Sequence, residues 1–424
     1  MSMLTEDQAM GYMHKLLTAM AQAGGSDLFI SHDFPPTMKA NGGMTPLSQQ
    51  KLTGDVTRIL ALSLMNDRQR VEFDRDMECN FAITVPGVSR FRVNVYVQLT
   101  HVAMVIRTIA SEIPNADKLG LPPVLKEQIM QKRGLFLIVG GTGSGKSTTL
   151  AALIDHRNAT ASGHIITVED PVEYVHISKK CLVSHREVGV DTHSWEAALK
   201  NTLRQAPDVI LMGEVRDRET MEHAVTFAET GHLCLATLHA NSANQAIDRI
   251  INFFPEERRP QLLMDLAANL RCIISQRLVR TQDGKRKAAI EIMINTPTIA
   301  DKIFKGQFQE IKPIMERARE QGMRTFDWAL FELYNDGHIG YEEALRNADS
   351  ANELRLNIKL RSRRGEPAGL SEGGMELTLD GQAPVMTKEQ IEKARAEELA
   401  RQQQRRAELE QRARSQPAQE LKLA

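Results

Sequence analysis

The sequence predicts an α/β protein in two parts. A small N-terminal α/β domain with a mostly antiparallel sheet comes first, then a larger domain whose parallel sheet carries a phosphate-binding loop. Three observations lead to this. In the stretch Gly140-Gly141-Thr142-Gly143-Ser144-Gly145-Lys146-Ser147-Thr148, two glycines separated by four residues precede Lys and Ser, the phosphate-loop pattern. From Phe136 to about Phe254, short apolar runs alternate with segments of helical spacing, as in a parallel sheet flanked by helices. Before residue 110, three apolar strand candidates follow one another with turn residues between them.

In chain order, Thr5 to Gln8 fits a capping box, and Met10, Met13, Leu17 and Met20 continue it at helical spacing until Gly24-Gly25. Asp27 to Ser31 reads as a strand, and Met38 to Leu47 as a hairpin around Asn41-Gly42-Gly43. A helix is expected from Thr53 to about Arg70, then strands at Met77 to Val85, Ser89 to Gln98 and Val102 to Ile109. Arg90 and Arg92 alternate with Phe91 and Val93 and so share one strand face, with Arg107 on the next strand. Two readings of these arginines stand: a solvated strand face, or guanidiniums that reach a phosphate bound on a neighbouring subunit or domain.

Pro114, Gly120 and Pro122-Pro123 mark a linker before a short helix at Val124 to Lys132. Strands are then expected at Leu135 to Val139, Ile165 to Val168, Val209 to Met212 and Leu233 to Thr237, with helices between them. Glu256 to Leu278 is expected to be helical, Val279 to Ile294 a hairpin, and the chain to about Asn347 mainly helical. Residues 362 to 387 have the Gly-rich polar composition of a flexible linker. Beyond Lys388, Glu/Lys and Glu/Arg pairs at i, i+4 indicate a solvated, charged helical tail.

Composition narrows the function. With 53 basic and 54 acidic residues the formal net charge is -1, so no bulk field favours nucleic acid or an anionic membrane. Cys79, Cys181, Cys234 and Cys272 are scattered, without zinc spacing, and read as reduced buried thiols. Glu6 and Asp7 occupy the place where a signal peptide would be basic and then apolar, and no apolar run approaches a membrane span. A cytoplasmic chain, at most peripheral to a membrane, is expected.

Three clusters fall at strand ends, where an open parallel sheet holds its ligands. Lys146 is suited to the outer phosphates and Ser147 to Mg2+. Glu169-Asp170-Pro171-Val172-Glu173 offers a carboxylate, Glu173 or Glu169, to orient and deprotonate an attacking water. In Asp208 to Glu214, four apolar residues run into Gly213-Glu214, a strand whose acid holds a metal through water. His232 and His239 bracket the apolar run Leu233 to Leu238; they are candidates to sense the phosphate or couple it to a neighbouring subunit, the other reading being hydrogen-bonded structural histidines. Arg204, Arg216 and Arg218 are candidate arginine fingers or interface residues.

Taken together, V-E-D-P-V-E (168–173), I-L-M-G-E-V-R-D (210–217) and T-G-H-L-C-L-A-T-L-H-A-N-S (230–242) resemble the Asp box, Walker B and His box of the secretion ATPase superfamily. Within it the chain is similar to the type IV pilus retraction motors of the PilT/PilU family, nearer the PilU branch. The similarity spans residues 1 to about 350 and includes S-R-F-R-V-N, V-S-H-R-E-V-G and I-S-Q-R-L. It implies a PAS-like domain over 1–110, a linker and helix over 111–133, a RecA-like ATPase core over 134–280 and a C-terminal mainly helical subdomain over 281–361. It also implies ATP and Mg2+ as ligands, and a homohexamer at the cytoplasmic face of the inner membrane. The implied partners are a PilT-type retraction ATPase and an inner-membrane pilus platform protein.

By resemblance, Lys146 is assigned to the phosphates, Ser147 to Mg2+, Glu173 to the catalytic base, Glu214 to Walker B, His232 and His239 to the His box, and Arg90, Arg92 and Arg107 to nucleotide. The chain departs from the PilT pattern at Gly141, where those motors have proline, at Gln205-Ala206, and at Thr298 to Ile303. Two other readings are a nonhydrolytic nucleotide-binding accessory protein and a RecA-like DNA motor. The retained Glu173 and Glu214 argue against the first and the balanced charge against the second.

Overall fold

The structure, a computed structural model, describes residues 5–40, 43–109 and 112–364. The charged tail, and all but the first three residues of the expected linker before it, lie outside the described residues.

Helix α1 (Glu6–Gln22) starts at the predicted capping box and turns Met13, Leu16, Leu17 and Met20 inward. Strands β1 (Asp27–Ile30), β2 (Thr37–Ala40) and β3 (Gly43–Pro46) follow. The single helix expected over 53–70 is two, α2 (Gly54–Ser63) and α3 (Asp67–Asp76). Asn66 separates them: its side chain accepts from the Gln69 N–H in a capping box, which restarts the helix in a new direction. Strands β4 (Glu78–Val85), β5 (Ser89–Gln98) and β6 (His101–Ile109) complete an antiparallel sheet in the order β3-β2-β1-β6-β5-β4. Its core is apolar and its own, centred on Met13, Leu28, Phe73 and Phe91.

The second part runs α4 (Pro123–Ile129), β7 (Gly134–Val139), α5 (Lys146–Thr160), β8 (Gly163–Glu169), β9 (Cys181–Glu187), α6 (Trp195–Thr202), β10 (Val209–Met212), α7 (Arg218–Glu229), β11 (Leu233–Leu238), α8 (Ala243–Asn252) and α9 (Arg259–Asn269). Then come β12 (Leu270–Arg280), β13 (Arg286–Ile294), and helices α10 (Pro297–Phe304), α11 (Ile311–Arg317), α12 (Phe326–Asn335), α13 (Tyr341–Asn347) and α14 (Ala351–Arg361). The seven strands lie in the order β13-β12-β7-β11-β10-β8-β9, parallel except for the antiparallel pair β12 and β13. Alternation along β7 sends Leu135, Leu137 and Val139 into one layer with α7, α8 and α9, and Phe136 and Ile138 into the other with α4 and α5.

Three expectations are corrected. The helix expected over 256–278 ends at Asn269, because Leu270 to Arg280 is a largely buried strand, paired with β7 from Leu270 to Ser275, whose apolar residues are compatible with either period. A domain boundary at 280 would cut the β12–β13 hairpin, which belongs to the core sheet. Strand β9 was not foreseen, since Leu182 to Arg186 sit at the sheet edge and lack a sustained apolar run. Among the described residues no helix is long and apolar enough to cross a membrane.

Phe136 is fully buried in the middle of this sheet. Phe136→Ala is expected to lower stability by about 3–5 kcal/mol through cavity formation. Urea unfolding followed by circular dichroism checks this; a change below about 1 kcal/mol would mean the site collapses around the smaller side chain.

Candidate functional site

Parallel pairing puts the carboxyl ends of β7, β8, β10 and β11 on one edge, at the point where neighbours of β7 depart in opposite directions. The phosphate loop leaves β7 there, and α5 begins at Lys146. Gly143 (φ 72°) and Gly145 (φ 90°) adopt the left-handed region that favours glycine. The loop glycines divide by what they face. A Cβ at Gly140 would lie 2.4 Å from Ser144 Oγ and 2.6 Å from the Gln276 carbonyl, and one at Gly145 2.8 Å from Gln276 Nε2. At Gly141 and Gly143 a Cβ would meet nothing within 4 Å. One side of the loop is packed onto β12 and the other is open, the shape of an anion cradle at a helix N-terminus.

Lys146 Nζ donates to the carbonyls of Gly140 (2.9 Å) and Gly141 (3.0 Å), so the ammonium lies across the mouth of the loop. Burial lowers its pKa, while the carboxylates of Glu214 and Glu173 act to restore it. Both predicted acids therefore face the same cation. Glu214 is held from two sides: Oε1 lies 3.1 Å from His239 Nε2, and Oε2 accepts from Arg216 Nε at 2.8 Å. Gly213 explains why the acid comes one residue late, because a Cβ there would stand 3.2 Å from Glu169 Cα where β10 passes β8.

Ser147, Glu169, Glu173, Tyr174, Gly213 and Thr237 line a recess of about 30 Å³, room for one water molecule. The Tyr174 hydroxyl meets Thr148 Oγ1 at 3.0 Å. Burial pushes the Glu169 carboxyl up to about 7, with Glu173 and Glu187 adding to the rise against hydrogen bonds from the Glu173 N–H and Thr167. The Asp170–Pro171 peptide in this loop is cis. Beside the phosphate loop, a cavity of about 670 Å³ opens between the linker at Gly120-Leu121, Thr148 and Thr149 of α5, Gln276 and Leu278 of β12, and His338. That volume suits a small-molecule ligand.

The structure gathers Lys146, Ser147, Glu169, Glu173, Glu214 and His239 at one site. His232 it places elsewhere: it precedes β11, at the opposite edge of the sheet, where Nδ1 contacts Thr230 Oγ1 and the Phe227 carbonyl. Arg204 precedes β10 at that same far edge, and Arg218 pairs with Glu222. Arg216 is at the site, on Glu214. In the N-terminal sheet, Arg90 pairs with Glu187 of β9, and Arg107 with Asp27. Arg92 is exposed and directly opposite Arg107.

Residue-type reasoning missed Gln276, whose Oε1 accepts from Thr149 Oγ1 at 2.8 Å and which floors the phosphate loop. Its signal was its place in the I-S-Q-R-L segment of the resemblance, which gave it no role. Glu187 was missed with its strand. Among the described residues no cluster of three or more His, Cys, Asp or Glu gathers to hold a metal unaided. The Ser147 hydroxyl at the head of α5, with Glu214 held at the same loop by His239 and Arg216, instead fits Mg2+, which takes few protein ligands and completes its shell with phosphate and water.

The family model of the type II/IV secretion system proteins matches residues 7–326. The chain is 57% identical over 349 residues to the type IV pilus ATPase PilU of Pseudomonas aeruginosa, covering 82% of this chain and 91% of that protein. It is 42% identical over 334 residues to the type IV pilus retractation ATPase PilT of the same organism, covering 79% and 97%. A crystal structure of the pilus retraction motor PilT with bound ADP aligns with a TM-score of 0.76 at 39% identity, covering 81% of this chain and 98% of that one.

Gly140→Ala forces a Cβ against Ser144 and the β12 backbone. Overpacking of about 1–3 kcal/mol concentrated in the loop should weaken ADP binding roughly tenfold or more. Gly141→Ala, facing open space, should change it much less. Equal affinities for the two variants by fluorescence titration would contradict this division of the loop.

Proposed function

The chain belongs to the type II/IV secretion system protein family, among the type IV pilus ATPases of the PilU/PilT group, and from that premise we propose a Mg-dependent ATPase motor that drives pilus retraction together with a PilT-type ATPase. The observation that carries the reading is the gathering at one loop of Lys146 at the head of α5, Glu173 in the recess beside Ser147, and Glu214 held by His239 and Arg216. A bound P-loop fold alone requires only an anion; a hydrolysing site also requires carboxylates at the outer phosphate.

In this reading the triphosphate of ATP enters the open side of the loop and its nucleoside part occupies the adjoining cavity. Lys146 exchanges its two carbonyl partners for phosphate oxygens. Glu173 accepts a proton from the attacking water as the water oxygen bonds to the γ-phosphorus and the bond to the bridging oxygen breaks, leaving ADP and phosphate. Ser147 and, through water, Glu214 would hold Mg2+, which supplies charge neutralisation on the phosphates. His239 and Arg216 keep the Glu214 carboxylate aimed, and His239 links its state to the end of β11.

Arg92 supports action in trans within a homohexamer: it is exposed, and Arg107 directly opposite is already shared with Asp27, so the Arg92 guanidinium is the one left to meet an anion on a neighbouring subunit. The same reading places the ring at the cytoplasmic face of the inner membrane, against a pilus platform protein.

Glu173→Gln should lower steady-state phosphate release about 10^2- to 10^4-fold while ADP binding persists. Glu214→Ala should slow turnover and raise the Mg2+ concentration needed for half-maximal rate. Wild-type turnover in Glu173→Gln would remove the base assignment. Phosphate release and twitching measured with and without PilT test the partnership; retraction at full strength in cells lacking PilT would overturn it.

A further inference from the structure

Both backbone N–H groups of the Val172–Glu173 step end on carboxylates. The Val172 N–H donates to Glu187 Oε2 at 3.2 Å, and the Glu173 N–H to Glu169 Oε2 at 3.3 Å. Glu169 and Glu187 are direct cross-strand partners at the ends of β8 and β9. Two carboxylates so placed repel each other. The counter-charge comes from the other domain: Arg90 Nη2 of β5 lies 2.7 Å from the same Glu187 Oε2, in a pair whose acid is buried. Arg90 Nε is buried with no hydrogen-bond partner among the described residues, so the guanidinium is held at this one carboxylate.

Glu169 is fixed from behind. The His176 N–H donates to His185 Nε2 at 3.0 Å, which leaves the proton of a neutral His185 on Nδ1, 2.9 Å from Thr167 Oγ1. Nδ1–H then donates to Thr167, and the Thr167 hydroxyl proton is free for the Glu169 carboxylate, which it stabilises. The burial that raises Glu169 and lowers His176 and His185 keeps this chain of neutral donors in place.

We propose that Glu169 and Glu187 are positioning residues that hold the loop carrying Glu173, and that Arg90 sets the position of Glu173 through Glu187, making hydrolysis depend on contact between the N-terminal sheet domain and strand β9. Without Arg90, Glu187 is a buried carboxylate beside a second one, and it relaxes by turning away from it. That change weakens its hold on the Val172 N–H and lets the base drift. This rests on the reading of Glu173 as base.

The test combines Arg90→Ala, Arg90→Lys and Glu187→Gln, each alone and with Glu173→Gln, in the full chain. Phosphate release and ADP affinity are measured, and folding is checked by circular dichroism. Displacement of a base by about 1 Å costs on the order of 100-fold, so Arg90→Ala should lower kcat by about 10- to 100-fold with ADP affinity unchanged. Arg90→Lys should recover part of the loss. In the Glu173→Gln background, Arg90→Ala should have no further effect, a coupling that general structural support would not produce.

Glu187→Gln keeps the volume and an acceptor for Val172, so it reports on the ion pair even if Arg90→Ala fails to fold. Wild-type kcat in Glu187→Gln or in Arg90→Ala overturns the proposal. Weakened ADP binding in Arg90→Ala would put Arg90 on a phosphate instead and also overturn it, as would additive losses with Glu173→Gln. Full activity in Glu173→Gln alone is a separate outcome, which removes the base assignment itself.

Discussion

Burial of β7 between β11 and β12 fixes the height at which everything functional stands. All six β7 residues are buried, and the registers Leu238 opposite Val139 and Ser275 opposite Val139 bring His239 and Gln276 level with the first loop glycine. Parallel strands cannot slip by one residue without turning their apolar sets to the wrong layer. Apolar packing of the strand that leads into the phosphate loop thereby determines where Lys146, Glu214 and His239 meet. Gln276 translates that register into loop shape, since its carbonyl and amide are what a Cβ at Gly140 or Gly145 would strike.

On this frame the site is an arrangement of charges that satisfy one another provisionally. Lys146 rests on two carbonyls, and Glu214 rests between His239 and Arg216. Each of these contacts can be exchanged for a phosphate, a metal or a water without unfolding any element. In the proposed motor such exchange would supply the free energy that moves one part against another. The Arg90–Glu187 pair joins the N-terminal sheet to the edge of the core sheet. Its acid also accepts from the Val172 N–H, next to the proposed base Glu173.

The elements whose signals are local were legible in the sequence. The capping box at Thr5, the loop glycines, the strands of the N-terminal sheet and the acids after β8 and β10 are all short-range patterns, and the structure has them at the expected places. Asn66 was a local signal too, since with Gln69 it forms a capping box that restarts the helix. The run 256–278 misled for the opposite reason, since a fully buried strand following a helix leaves no change of period to mark the boundary.

By itself the sequence determined the chemistry on offer: a phosphate cradle, a lysine, a hydroxyl, two carboxylates and a histidine at strand ends. Tertiary structure alone decided which of them meet. His232 and His239 look equivalent as letters at the two ends of one six-residue run, yet a strand carries its two ends to opposite edges of the sheet, and only His239 reaches Glu214. Arg90 and Arg92 share a strand face, yet the approach of β9 gives Arg90 a buried carboxylate and leaves Arg92 exposed opposite Arg107. Those outcomes depend on which strands become neighbours across 97 residues of chain, and local periodicity carries no record of that pairing.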